Sequence, residues 1–105
     1  MEQSKKQLNL LGIATRARKL ISGEELTIKA IQRNEAKLVI VATDCSDNTK
    51  EKLLNKCTYY RVPFDCSFTS DEISIAIGKS RSICAFTEKG FADSYLKLKG
   101  TNNMR

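Results

Sequence analysis

The chain has 105 residues, enough for one domain, and with 41% hydrophobic and 29% charged residues its composition is globular. Its longest apolar run, Leu38 to Ala42, is too short for a transmembrane helix, which needs about 20 residues. The sequence contains no histidine, which excludes Ser-His and Cys-His catalysis and His-ligated metal sites. No signal peptide follows Met1, so we expect a cytoplasmic protein.

The charge is strongly basic. Lys and Arg total 18 against 12 Asp and Glu, a net charge of +6. Residues 1–33 contain seven basic and three acidic side chains, so +4 of that charge lies in the first third. This asymmetry indicates a polyanionic partner such as nucleic acid, although a basic domain without such a partner would have the same composition.

The first half of the chain predicts two helices and two strands. A helical apolar stripe is followed by a short extended segment at Leu20 and Ile21. Ser22 and Glu25 have the spacing of a capping box, which predicts a second helix ending near Asn34. The β-branched run 37–42 lacks alternation, as in a central strand covered on both faces. The apolar stripe of the first helix comprises Leu10, Ile13, Ala14, Ala17 and Ile21.

The next segment predicts a third helix and a third strand. Ser46 or Asp47 can cap the helix, and Pro63 requires extended backbone after it. The third strand alternates, which predicts that Asp65 and Ser67 point outward. The expected buried residues of these two elements are Leu53, Leu54, Cys57, Tyr60, Phe64, Cys66 and Phe68.

The last third predicts two helices around a final strand. Thr69 and Glu72 form a second capping box, and Gly78 suits the left-handed end of that helix. Residues 83–86 form the last strand, and Thr87 can cap a final helix with Phe91, Tyr95 and Leu98 inside. The alternating order predicts an α/β fold, a three-layer α/β/α sandwich around a small mixed sheet of about four strands. We expect one domain over residues 1–99 and a frayed tail over 100–105.

Neither a metal site nor a bound cofactor is expected. The cysteines Cys45, Cys57, Cys66 and Cys84 form no C-x-x-C pair, and we interpret them as reduced thiols, the last three within apolar segments. The chain has neither a glycine-rich dinucleotide motif nor a Walker loop. Asp44, at the end of the central strand, either belongs to a ligand or catalytic site or orients the next loop.

The segment from Ser22 to Arg33 carries the strongest indication of function. Glu25, Lys29 and Arg33 are four residues apart, so a helix projects them from one face. Gly23 allows a polyanion close to the backbone of the helix N-terminus. The loop 78–81 adds further basic side chains. A solvated Glu25–Lys29 ion pair would explain the same spacing without any ligand.

Four segments in this order resemble the ribosomal protein L7Ae/L30e family, most closely its small bacterial YlxQ-like branch. They are residues 23–31, residues 36–44, Val62-Pro63-Phe64, and the helix end at Ile77-Gly78, with residues 10–19 also typical of the branch. The resemblance covers about residues 8–98. It implies the same α/β/α sandwich and a non-enzymatic function, the binding of kink-turn RNA.

In that family the second helix enters the major groove at sheared G·A pairs, and the loop before the last strand closes on an extruded nucleotide. The resemblance therefore implies a binder of structured RNA, such as ribosomal RNA or an mRNA leader, either on the ribosome or apart from it, and we expect a monomer. It assigns groove contacts to Gly23, Glu25, Lys29 and Arg33, and loop contacts to Lys79, Ser80, Arg81 and Ser82.

Two departures from the family pattern modify these expectations. Archaeal members have an Asn-Glu pair where this chain has Glu25 and Leu26, and Leu26 cannot accept a hydrogen bond from guanine. The loop is more polar than its archaeal counterpart, so we expect it to hold the RNA backbone, with a strong salt dependence. Two other hypotheses remain open: a protein-interaction module on the same scaffold, and a small ligand-binding or enzymatic domain using Asp44.

Overall fold

A computed structural model describes residues 2–100, with side chains described for residues 4–98. It contains five helices and four strands in the order expected from the sequence. Residues 101–105 of the expected tail lie outside the described part. The elements are α1 (Glu2–Arg16), β1 (Leu20–Ser22), α2 (Glu24–Gln32), β2 (Leu38–Val41), α3 (Asp47–Tyr60), β3 (Phe64–Asp65), α4 (Ser70–Ile77), β4 (Ile83–Phe86) and α5 (Lys89–Gly100).

The four strands form one mixed sheet in the order β1-β4-β2-β3. Strand β4 is antiparallel to both of its neighbours, with Ile21 opposite Ala85 and Val39 opposite Ala85 on the other side. Strand β2 is parallel to β3. Every residue of β2 and β4 is buried, as the unbroken apolar pattern of residues 38–41 predicts.

Helices cover both faces of this sheet, which confirms the three-layer sandwich. On one face α1 packs against α4 and α5, around a core that includes Leu11, Phe86 and Tyr95. On the other face α2 packs against α3, with Ile31 and Leu53 buried between the helices and the sheet. In the described part of the chain, no helix is both long and apolar enough to cross a membrane.

The contact between α1 and α4 depends on a glycine. A Cβ atom added at Gly12 would lie 2.9 Å from the backbone oxygen of Ala76, which is closer than a Cβ atom normally approaches another atom. The absence of a side chain at position 12 therefore lets the two helices approach closely. This contact fixes the last turn of α4, just before the loop that leads into β4.

The third strand differs from its prediction. Only Phe64 and Asp65 are in β3, and the buried residue is Asp65, whereas Cys66 is exposed. The reason lies in α5, where Tyr95 Oη donates a hydrogen bond of 2.7 Å to Asp65 Oδ2. A buried hydrogen bond from a distant helix thus overrides the local alternation. The prediction for α3 was also partly wrong, because Leu54 is 46% exposed.

Candidate nucleic-acid interface

The start of α2 is capped differently from the prediction. Ser22 is the last residue of β1, paired with Cys84, and the N-cap is Gly23. Gly23 has φ 100° and ψ 149°, a conformation for glycine, and its N–H donates to the carbonyl oxygen of Ile83 at 2.8 Å. The predicted Ser22–Glu25 capping box is therefore wrong, because pairing with β4 holds Ser22 in the sheet.

This geometry leaves the first turn of α2 without a side-chain cap. The first N–H that bonds within the helix is that of Thr27, which donates to the Gly23 oxygen at 3.1 Å. The N–H groups of residues 24–26 precede it and have no acceptor inside the helix. Such groups, together with the positive end of the helix dipole, favour an anion.

The loop between α4 and β4 is held in one shape by hydrogen bonds. Gly78 ends α4 in the left-handed conformation with φ 83°. Ser74 Oγ accepts from the N–H of Arg81 and donates to its carbonyl oxygen, both at 2.9 Å. The Ser82 oxygen accepts from the N–H of Ala42 at 2.8 Å, which joins the end of the loop to the end of β2. Because both ends are held, the loop presents its basic side chains from a fixed backbone.

This loop lies against the start of α2. A Cβ atom at Gly23 would be 3.8 Å from Nε of Arg81. Lys79 and Arg81 border a groove of about 220 Å³ together with Ser22 and Leu26. Arg81 also donates from Nη1 to the Ser80 oxygen at 2.8 Å. The groove therefore joins two predicted sites that are more than 50 residues apart in the chain.

The exposed surface of α2 has two flanks with a ridge between them. On one flank, Glu24 accepts a 2.8 Å ion-pair hydrogen bond from Nζ of Lys52 in α3. On the other flank, Leu26 lines the groove and is 56% exposed. At 100° per residue Glu25 and Lys29 lie between these flanks, and both are exposed.

The predicted residues are therefore not all at one place. Lys79 and Arg81 line the groove, Gly23 lies beside Arg81, and Glu25 and Lys29 form the adjoining ridge. Arg33 is the exposed C-cap of α2, at the far end of the helix. Ser80 is exposed, and half-buried Ser82 serves the backbone of β2 through its carbonyl group.

Sequence reasoning missed two contributors to this surface: Ser74 fixes the loop, and Lys52 engages the first turn of α2. It considered Leu26 only as a departure from the family pattern, whereas Leu26 forms part of the groove wall. The alternative explanation of the spacing was an ion pair of Glu25 with Lys29, but the acidic residue of α2 that is paired is Glu24. No local pattern could have found Lys52, which is 28 residues away from its partner.

Asp44 is engaged in orienting the next element. Its Oδ1 accepts from the Ser70 N–H and its Oδ2 from the Ser70 hydroxyl, both at 2.9 Å. The Ser70 backbone bond, followed by the Ser70 hydroxyl, lowers the pKa of Asp44. Both oxygens thus hold the first residue of α4, next to the predicted capping box of Thr69 and Glu72, which is confirmed. Within the described residues, no group of three or more Cys, Asp or Glu side chains could hold a metal ion.

The sequence is similar to known proteins over nearly its whole length. The model of the ribosomal protein L7Ae/L30e/S12e/Gadd45 family matches residues 5–96. An RNA-binding protein YlxQ of Enterococcus faecium is 49% identical over 93 residues, covering 89% of this chain and 90% of that protein. A protein of the same name from Bacillus subtilis is 44% identical over 90 residues, covering 85% and 90%.

Two solved structures share the fold. A Bacillus halodurans protein of unknown function is 39% identical, with a TM-score of 0.86 over 89% of this chain and 95% of its own. A Giardia lamblia 15.5 kD RNA-binding protein superposes with a TM-score of 0.79 over 96% of this chain and 88% of its own. At 20% identity, the second comparison shows the shared fold only.

Proposed function

This chain belongs to the ribosomal protein L7Ae/L30e/S12e/Gadd45 family, and we propose that it is a non-enzymatic RNA-binding protein recognising a kink-turn-like element. Two relatives that are 49% and 44% identical are named RNA-binding proteins. The net charge of +6 suits a polyanionic ligand. Asp44 is committed to Ser70, which favours a role in positioning α4 over one in catalysis.

The observation that carries the proposal is the position of Arg81 beside Gly23. A helix start without a side-chain cap and a basic loop held by Ser74 border one groove. A strongly bent RNA presents two phosphate backbones close together. A concave surface with donors on both sides suits that shape better than it suits a straight duplex.

The four residues predicted at α2 have separate roles in this proposal. The Gly23 backbone lets RNA approach the free N–H groups of the first turn, and Glu25 accepts hydrogen bonds from guanine N–H groups at the G·A pairs. Lys29, one turn further, offsets the charge of Glu25 and contacts phosphate. Arg33 extends the cationic ridge toward the end of α2, where it reaches the flanking stem.

The loop holds the RNA mainly through charge. Lys79 and Arg81 supply cations, and Ser80 and Ser82 supply hydroxyl groups that contact the backbone near the bulge. Leu26 contributes an apolar wall to the groove instead of a hydrogen-bond acceptor. The combination predicts binding that weakens steeply as the salt concentration rises.

A titration with three fluorescent RNAs tests this function. The RNAs are a kink-turn duplex, the same duplex with its G·A pairs replaced by Watson–Crick pairs, and a plain duplex of equal length. We expect the first to bind at least tenfold more tightly than the other two in moderate salt. Equal affinity for all three RNAs would refute kink-turn recognition and leave only general RNA binding.

We extend the proposal to the source of the RNA, which we take to be ribosomal RNA or an mRNA leader met in the cytoplasm by a monomer. Sedimentation of cell extract through a sucrose gradient separates the two sources. Co-migration with a ribosomal subunit that is lost on Lys29→Ala substitution supports ribosomal RNA. Recovery only in the light fractions excludes stable ribosome association.

A further inference from the structure

A second surface beside the proposed interface has features suited to unpaired RNA. Four side chains of α3 at helical spacing, Lys52, Asn55, Lys56 and Tyr59, line a shallow depression of about 440 Å³ together with Tyr60. We propose that this α3 stripe, defined by the first four of these residues, binds a single-stranded extension of the RNA held at α2. The inference rests on the proposed function.

Tyr59 is the central observation. Its side chain is 78% exposed, and its ring meets that of Tyr60 edge-on, with centroids 4.8 Å apart and planes at 78°. Tyr60 is half-buried, packs against the α2–α3 core and supports one edge of the Tyr59 ring. An exposed, supported aromatic ring is the type of platform on which an unpaired base stacks.

The other members of the stripe supply backbone contacts. Lys56 and Asn55 precede Tyr59 by three and four residues, so their side chains lie next to its ring on the helix surface. An ammonium group and a side-chain amide suit phosphate and base edges. A stacking ring between such donors suits a nucleotide strand better than an apolar peptide, which gives the stripe one class of ligand.

The stripe is continuous with the proposed interface. Lys52, at the start of the stripe, forms an ion pair with Glu24 in the first turn of α2. From Lys52 to Tyr59 the helix rises about 10 Å, a span that a short stretch of unpaired strand can follow. The structured RNA and its extension would thus lie on opposite sides of the Glu24–Lys52 ion pair. Since Glu24 neutralises Lys52, Lys56 is the main cation and Tyr59 the main contact.

The test compares a kink-turn duplex with the same duplex carrying six unpaired nucleotides at one end, each end being extended in turn. For the unaltered protein, one of the two extensions should tighten binding about fivefold or more, the equivalent of one stacked base. Tyr59→Ala should remove that gain and leave affinity for the unextended duplex unchanged. Tyr59→Phe, which keeps the ring, should preserve the gain.

Two matched variants complete the experiment. Lys56→Ala should reduce the gain in affinity. Lys6→Ala removes the same charge from an exposed position of α1, on the other face of the sheet, and should leave the gain unchanged. Normal kink-turn affinity with no gain from either extension would overturn the α3 inference alone. A loss of affinity for both RNAs in Tyr59→Ala would also overturn it. No preference for the kink-turn over a plain duplex would refute the proposed function and this inference with it.

Discussion

Tyr95 in α5 donates a 2.7 Å hydrogen bond from Oη to Oδ2 of Asp65 at the end of β3, and both side chains are buried. Ser67 donates to the other carboxylate oxygen at 3.0 Å. A carboxylate inside a small core is tolerated only when donors surround it. This bond therefore connects the outer helix α5 to the shortest strand of the sheet.

Removing the Tyr95 hydroxyl should destabilise the protein. Tyr95→Phe keeps the ring in the core but removes a donor from a buried carboxylate, which we expect to lower the free energy of unfolding by about 2 kcal/mol. Urea denaturation measures the change. Tyr59→Phe, at an exposed position, is the matched control and should stay within about 0.5 kcal/mol of the unaltered protein.

Tyr95→Phe should also change how steeply the free energy of unfolding falls at alkaline pH. Burial, followed by the nearby charge of Asp65, raises the pKa of Tyr95 above its ordinary value. The unfolded chain therefore releases the tyrosine proton near pH 10 while the folded chain retains it, so stability falls as pH rises above that value. If the stability of Tyr95→Phe fell as steeply above pH 10 as that of the unaltered protein, this assignment would be contradicted.

The Asp44–Ser70 contact should contribute stability that depends on pH and is lost in acid. Since hydrogen bonds from Ser70 lower the pKa of Asp44 in the folded state, the contribution is present above the ordinary value of 3.8 and is lost as pH falls through the folded value. Thermal unfolding between pH 2.5 and 6 should show Asp44→Asn less stable than the unaltered protein at pH 6. The gap should narrow at the acid end, and a constant gap would count against the contact.

A methyl group at position 23 should affect both folding and binding. Gly23→Ala forces a side chain into a conformation that only glycine adopts readily, at about 1–3 kcal/mol, and places the methyl beside Arg81. Affinity for the kink-turn duplex, measured well below the melting temperature, should fall. Gly90→Ala in α5, on the other face of the sheet, is the control, because an added Cβ there meets only Glu88 Oε1 at 3.5 Å, an ordinary contact distance. Equal affinity of both variants would place the RNA away from Gly23.

Lys29→Ala should change the salt dependence of RNA binding. Loss of one phosphate contact should reduce the slope of log affinity against log salt by roughly 0.9 and weaken binding at low salt. Titrations at four salt concentrations give the slope. Lys6→Ala should leave the slope unchanged, and an unchanged slope in Lys29→Ala would remove Lys29 from the interface.

The four cysteines should react in a fixed order with a thiol reagent. Cys66 is exposed, whereas burial raises the pKa of Cys57 to about 11 and that of Cys84 to about 12. In the native protein the reagent should therefore modify Cys66 first and half-buried Cys45 next. Cys57 and Cys84 should be modified only after unfolding. Mass spectrometry of partly labelled protein gives the order. Early labelling of Cys84 would contradict the buried position of β4.

The sequence predicted the element order, the small mixed sheet and the two buried strands β2 and β4, because their apolar patterns are local. It failed at Asp65, where the decisive partner is Tyr95, 30 residues further along the chain. It also failed at Ser22, because a capping box and the end of an edge strand use the same residue types. Helix spacing and charge could indicate the face of α2 and the loop 78–81 separately. The meeting of Gly23 with Arg81 is a tertiary contact, so only the family resemblance joined the two in one RNA site.

The proposed RNA interface depends on the close approach of α1 and α4 at Gly12, which lies on the other face of the sheet from α2. Any larger residue there must push α4 away from α1, since a Cβ would lie 2.9 Å from the Ala76 oxygen. Ser74 and Gly78, which shape the basic loop, belong to the same helix and its end. A mutation on the far side of the sheet could thus misalign the loop with α2 and impair RNA binding without removing a single group that touches the ligand.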